Sequence, residues 1–435
     1  MRRLAWLLII GFAFATPATL PAQYFGQNKV TYGRFDFRVL ETEHFDVYYY
    51  PVEREAAFDV SRMAERAYTR LSQVLRHDFR ERKPIILYAS HSDFSQTNTA
   101  DGEVGEGTGG FTDFLKHRNV LPLTGAYSDI AHVLQHEMAH QFQYDVWSGG
   151  KAGAGIQTLM RVNPPLWFVE GMAEYLSIGR VDPNTAMWIR DAAAEGRLPT
   201  ILQLETDPRI FPYRFGQSIL TYIGSRWGDE SIGAILSASR AGSLEEAFLR
   251  VIGLNFRQLG DQWRDAMQKQ YLPELTVRNK ASAISDEVLS KARSKGTLHL
   301  APALSPDGNQ VVFFSEKDFF FVDMWLANVS DGVAGRRLFK STWSSNYETF
   351  RFINSAASWS PDGKFLAFAA KRGPRDDIVV LDVAKNKEVA RINVTLSGIT
   401  SPSWSPDGKR LVFTGYDGGL SDLFVVDVNG KNPVD

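Results

Sequence analysis

The sequence predicts a multidomain chain: an α+β domain followed by all-β propeller blades, too few to close a ring. Three observations carry that expectation. A length of 435 residues exceeds what one core ordinarily organises and asks for about two or three domains. Before residue 276, period-two runs come early and helical periods come late. After residue 296, a Ser-Pro-Asp-Gly motif returns at the spacing of propeller blades.

Hydrophobic residues make up 44% of the chain and charged residues 23%, an ordinary globular balance that excludes wholesale disorder. Lys and Arg number 48 against 50 Asp and Glu, for a formal charge of −2. No basic tract offers a counterion-release surface, which argues against nucleic acid as the main partner. Cysteine is absent, so disulfides, thiolate metal sites and cysteine nucleophiles are excluded together.

Met1-Arg2-Arg3, an apolar run from Leu4 to Ala15 and a small-residue exit through Ala22-Gln23 describe a secretory signal peptide over residues 1–23. The apolar run falls well short of the ~20 residues that a spanning helix needs. The mature protein is expected outside the cytoplasm, periplasmic or secreted, with no transmembrane segment.

Residues 24–276 read as the first domain. Phe35 to Leu40 and His44 to Tyr50 alternate as a hairpin, and Glu53 to Phe79 carries Ala57, Val60, Ala64, Leu71 and Leu75 at a helical period. Pro84 to Tyr88 is a short buried strand, and a glycine-rich stretch runs from Gly102 to Gly110. Residues 277–296 turn to Lys, Ala, Ser and Asp with little apolar periodicity and read as a linker.

Residues 297–435 hold the repeat. Ser305-Pro306-Asp307-Gly308 returns at Ser360-Pro361-Asp362-Gly363 and Ser405-Pro406-Asp407-Gly408, each followed by an alternating strand. Pro presets φ, Asp bonds the backbone and Gly accepts positive φ, so the motif is a tight turn. One aspartate per turn lacks the clustered oxygens that calcium needs. About three blades are expected, whereas closed propellers have about four to eight. These repeats resemble the WD40-like blades of TolB-type propellers, and the propeller is expected to present a substrate or a protein partner.

Tyr127 to Trp147 reads as a helix containing His136-Glu137-Met138-Ala139-His140. Positions i and i+4 share a helix face, so both imidazoles can grip one metal ion, with Glu137 beside them as general base. Zinc needs a third protein ligand. Downstream, Pro164-Pro165-Leu166-Trp167-Phe168-Val169-Glu170-Gly171-Met172-Ala173-Glu174 opens a second helix with two carboxylates on one side, and either could be that ligand.

The combination resembles the gluzincin zinc metallopeptidases, whose aminopeptidase branch carries a Trp-x-x-Glu-Gly-x-Ala segment. The resemblance implies a zincin, thermolysin-like domain with one Zn2+ held by His136, His140 and Glu170, and with Glu174 orienting a ligating histidine. It extends to Pro212-Tyr213-Arg214-Phe215-Gly216, similar to the family's Tyr-x-Lys-Gly helix start with Phe215 in place of lysine. Tyr213 would then donate to the oxyanion.

Tyr222 reads as core, and His132, one turn before His136, as structural or solvated. The family's amine-recognising Gly-x-Met-Glu-Asn strand is missing between Gly102 and Phe111, where Glu103 or Glu106 could substitute for it, although a flexible rim glutamate is the leading reading. An exported endopeptidase acting on a peptide or protein substrate is therefore expected, with the glycine-rich stretch or Phe111-Thr112 pairing with substrate backbone. The competing expectation is a non-catalytic propeller scaffold that keeps a peptidase-like domain for its shape.

Overall fold

The computed structural model describes residues 31–100, 104–150, 160, 162–317, 322–339, 349–353 and 355–428. The expected signal peptide and Glu103 lie outside the described residues.

The first region builds a five-stranded sheet among the described residues, in the order β1-β2-β3-β5-β4. Strands β1 (Arg38–Glu41) and β2 (Phe45–Tyr49) form the antiparallel hairpin, with Val39 opposite Tyr48. Phe45, Val47 and Tyr49 face the core, as their alternation requires. Helix α1 (Arg54–Leu75) buries Ala57, Val60, Ala64, Leu71 and Leu75, and it ends where Arg76 turns left-handed at φ 50°. It returns the chain to β3 (Lys83–Tyr88), which runs parallel to β2 and to β5 (Arg118–Pro122). The short β4 (Phe111–Asp113) is antiparallel to β5 and forms the edge of the sheet.

Helix α2 (Tyr127–Ser148) packs against α1 and β5, and a left-handed Gly149 ends it. Helix α3 (Leu166–Ile178) starts directly after Pro165, and α4 (Pro212–Trp227) has proline in its first turn, where the missing N–H costs nothing. These two helices touch at glycines. A Cβ on Gly171 would fall 2.4 Å from the backbone carbon of Gly216, and one on Gly216 would fall 2.1 Å from Trp167 O. One hydrophobic cluster, from Phe45 to Trp263, joins sheet and helices.

The second region is β-sheet throughout its described core. The first sheet holds β6 (Leu300–Leu304), β7 (Gln310–Ser315), β8 (Asp323–Asn328) and β9 (Ala334–Phe339). The second orders β10 (Thr349–Phe350), β12 (Phe365–Arg372), β13 (Arg375–Asp382) and β14 (Lys387–Ile392), with β11 (Ser358–Trp359) also paired to β12. The third holds β15 (Gly398–Trp404), β16 (Arg410–Asp417) and β17 (Leu420–Asp427).

Each Ser-Pro-Asp-Gly turn is built alike. The Ser360 hydroxyl donates to Asp362 Oδ1 at 2.7 Å and accepts from the Phe365 amide at 2.9 Å, while Gly363 sits at φ 71°. Ser305 and Ser405 repeat both bonds. The residue before the motif ties neighbouring sheets together, since Trp359 Nε1 donates to Ala303 O at 3.0 Å and Trp404 Nε1 to Ser358 O at 3.1 Å.

Residues 277–287 are exposed, whereas Val288 and Leu289 pack on the first sheet against the cluster of Phe313 and Trp325. Composition hid this contact because two apolar residues are too few to show a period. The two regions also meet directly. Gly125 bridges to Leu420, and Lys371 Nζ donates to Ser95 Oγ at 2.9 Å.

Candidate metal centre

Helix geometry sets the first two members of the site. His136 and His140 lie one turn apart on α2, with their Nε2 atoms 3.2 Å apart. Helix α3 crosses here and brings Glu170 Oε2 to 3.3 Å from His136 Nε2 and 3.4 Å from His140 Nε2. A tetrahedral zinc with bonds of about 2.0–2.1 Å holds its ligand atoms about 3.3 Å apart. The three donors therefore stand as one face of such a tetrahedron, and two imidazoles with a carboxylate are a donor set that suits zinc.

The far side of each ring is also held. Glu174 Oε1 lies 3.1 Å from His136 Nδ1, and its Oε2 accepts from Arg214 Nη1 at 2.8 Å. Gln143 Oε1 lies 2.9 Å from His140 Nδ1, and its amide donates to Val169 O at 2.9 Å. Both imidazoles thus turn Nε2 inward. His132 adds a second contact to Glu174, Nε2 to Oε1 at 3.4 Å, and so lies beside this network rather than in solvent.

Burial would raise Glu170, but hydrogen bonds from His136 and His140 outweigh it and hold the carboxyl down at about 2. Glu174 is likewise held well below the ordinary range against its burial, by His132 and His136. Burial would depress His136, yet Glu170, Glu174 and Glu137 push it up to about 10. So much negative charge around the donors favours a cation among them.

Glu137 is buried beside its neighbours, and the Thr112 hydroxyl on β4 donates to its Oε2 at 2.6 Å. The Tyr213 ring stacks on His136 with centroids 6.0 Å apart and planes 11° from parallel. Burial and Glu170 push the Tyr213 phenol up, so it stays a neutral donor. The structure therefore brings together His136, Glu137, His140, Glu170, Glu174 and Tyr213. Tyr222 stays apart on α4, its hydroxyl donating to Gln262 Oε1 at 3.2 Å.

Three supporting residues escaped the sequence reading: Gln143, Thr112 as a partner of Glu137, and Arg214. Gln143 had a signal, since position i+3 shares the face of His140. Thr112 and Arg214 had none, because their partners come from other elements. Glu106 corrects an expectation. It is no flexible rim residue: its side chain is only 8% exposed and accepts from Arg351 Nη1 of the propeller region at 2.5 Å.

Fold and site thus define a protein of two parts, a helical N-terminal region carrying a His-Glu cluster and a β-sheet C-terminal region of propeller type. That second region is similar to the TolB propeller: residues 339–434 match the family model described as the TolB beta propeller domain. Residues 254–372 match the model of the dipeptidyl peptidase IV N-terminal region. Both matches lie beyond Tyr213. No curated protein matches the chain.

Among solved structures, a TolB from Agrobacterium tumefaciens is 23% identical over 32% of this chain and 47% of its own, with a TM-score of 0.27. A TolB from Acinetobacter baumannii is 22% identical over 31% of each chain, with a TM-score of 0.26. A structure described as the eukaryotic initiation factor is 13% identical over 35% of this chain and 34% of its own, with a TM-score of 0.24. The chain spans less than half the length of each of these structures. Among the described residues no helix is long and apolar enough to cross a membrane.

Proposed function

We propose that this protein is an exported zinc-dependent endopeptidase with a thermolysin-like zincin domain, and that its propeller binds a substrate or partner protein. Residues 1–23 would direct export to the periplasm or beyond, residues 24–276 would form the peptidase domain, and residues 297–435 the propeller. The observation that carries the reading is the triangle of His136 Nε2, His140 Nε2 and Glu170 Oε2, with edges of 3.2, 3.3 and 3.4 Å.

These three residues would hold one Zn2+ per chain, which supplies Lewis acidity toward a carbonyl and toward water. The Thr112 bond engages Oε2 of Glu137, which leaves Oε1 to take the proton of the attacking water and return it to the leaving amine. Tyr213 donates its hydroxyl proton in a hydrogen bond to the oxygen on which negative charge develops. Glu174 and Gln143 keep the two imidazoles from rotating. Strand β4, at the sheet edge, offers backbone groups to an extended peptide. Endopeptidase action is favoured over removal of N-terminal residues because Glu106, an acid that could meet a free amine, is already bound to Arg351.

Two measurements test the proposal. Protein purified without chelators should hold about one zinc per chain, and zinc-free protein should take it up again. In Glu137→Gln the zinc should stay, while hydrolysis of an unbiased peptide library falls by several orders of magnitude. No zinc uptake would overturn the metal site. Zinc uptake without hydrolysis by the unaltered protein would favour the scaffold reading instead.

A further inference from the structure

Among the described residues, Arg351 is a buried charge shared between the two regions. It follows β10 in the second propeller sheet and is only 3% exposed. Nε and Nη2 bond Asp376 of the same sheet at 2.9 to 3.1 Å. The rest of the guanidinium crosses into the first region: Nη2 donates to Ser92 Oγ at 2.5 Å and Nη1 to Glu106 Oε2 at 2.5 Å. A planar fork with fixed donor directions, paired on both sides and out of water, sets position as well as charge.

Glu106 lies in the segment that feeds the edge of the cleft. Its neighbour Gly105 is tied as well, with its carbonyl 3.0 Å from His91 Nε2. Burial and the Arg351 charge push His91 down to about 4, so neutral Nδ1 accepts from Arg351 at 3.2 Å while Nε2–H donates to Gly105. Gly107 lies against the propeller, where an added Cβ would come within 3.1 Å of Ile353. Four residues beyond it β4 begins.

The same segment is pinned at its far end. A Cβ on Gly110 would fall 2.6 Å from Leu121, 3.0 Å from Val133 and 3.3 Å from Glu137 Cγ, so the backbone already lies against the helix that carries the site. Two residues on, Thr112 donates to Glu137.

We propose that the propeller sets the substrate-binding edge of the cleft through Arg351, a positioning residue that acts on β4 by way of Glu106, while the Thr112–Glu137 contact independently pins the far end of the segment. This rests on the peptidase reading for its consequence on substrate, though the latch itself stands on the contacts above. The propeller is then more than a docking platform. It holds in register the strand that an extended peptide would join.

The test uses the full chain with Glu106→Gln, which keeps shape but removes the charge, and Arg351→Lys, which keeps charge but loses the fork. Amide hydrogen exchange across residues 104–113 should quicken about tenfold in both variants, with zinc content unchanged. For a long peptide that reaches β4, kcat/KM should fall by about tenfold or more, mostly through KM, whereas a reporter too short to reach β4 should be unaffected. An equal loss on both substrates would mean general destabilisation, and unchanged exchange would remove the latch; either overturns the proposal. If the unaltered protein neither binds zinc nor hydrolyses peptides, the peptidase reading fails, and the exchange arm still decides whether Arg351 holds the segment. Should one variant fail to fold, the other carries the same comparison.

Discussion

The propeller turns and the metal cluster organise polar side chains in opposite ways. In the turn, Ser360 meets Asp362 two residues on and the Phe365 amide five residues on, and Ser305 and Ser405 do the same. In the cluster, Glu170 reaches His136 across 34 residues of sequence, Arg214 reaches Glu174 across 40, and Thr112 reaches Glu137 across 25. The first arrangement closes within one loop and is copied along the chain. The second exists only after β4, α2, α3 and α4 have packed, so losing one long-range contact disturbs the whole site.

The sharpest break of that contrast is Glu170→Ala. It removes one of three proposed zinc donors and should abolish tight binding when zinc is titrated against a competing chelator. In the same titration, Glu174→Ala should cost only about ten- to a hundredfold, because it frees the His136 ring without removing a donor. Loss of zinc by the Glu174 variant alone would exchange the roles of the two glutamates.

Next in size is a charge buried in the helical region. Asp145, fully buried on α2, bonds Lys83 at 2.6 Å and His77 at 2.7 Å. Burial would raise its carboxyl, but His117, His77 and Lys83 hold it far below the usual carboxylate range. The folded value lies below the unfolded one, so this stabilisation is full above about pH 4 and is lost as pH falls toward the depressed folded value. Asp145→Asn leaves Lys83 buried and unpaired and should cost about 3–5 kcal/mol near neutrality. Denaturant melts followed against pH should also show a flatter acid limb than the unaltered protein.

The smallest expected effect belongs to the repeat. Ser360→Ala removes a hydroxyl that joins Asp362 to the Phe365 amide and should cost about 1 kcal/mol, with no change in zinc content. The same substitution at Ser305 or Ser405 should behave alike. A large or unequal cost among the three would show that these turns are not closed local units.

By itself the sequence determined what depends on short spacings. Ser-Pro-Asp-Gly specified its turn because φ preferences and a two-residue side-chain bond are local. His136 with His140 and Glu170 with Glu174 were legible because i and i+4 share a helix face whatever lies around them. Tertiary structure alone decided which carboxylate meets both Nε2 atoms, that Thr112 holds Glu137, and that Val288 and Leu289 leave the linker for the first propeller sheet. It alone also joined Glu106 to Arg351 across 245 residues, turning an expected loose glutamate into a buried pair. The physical reason is one of range. A dihedral preference or a helical period acts over a few residues, whereas a buried charge finds its partner only when packing excludes water from both and leaves each nothing else to bind.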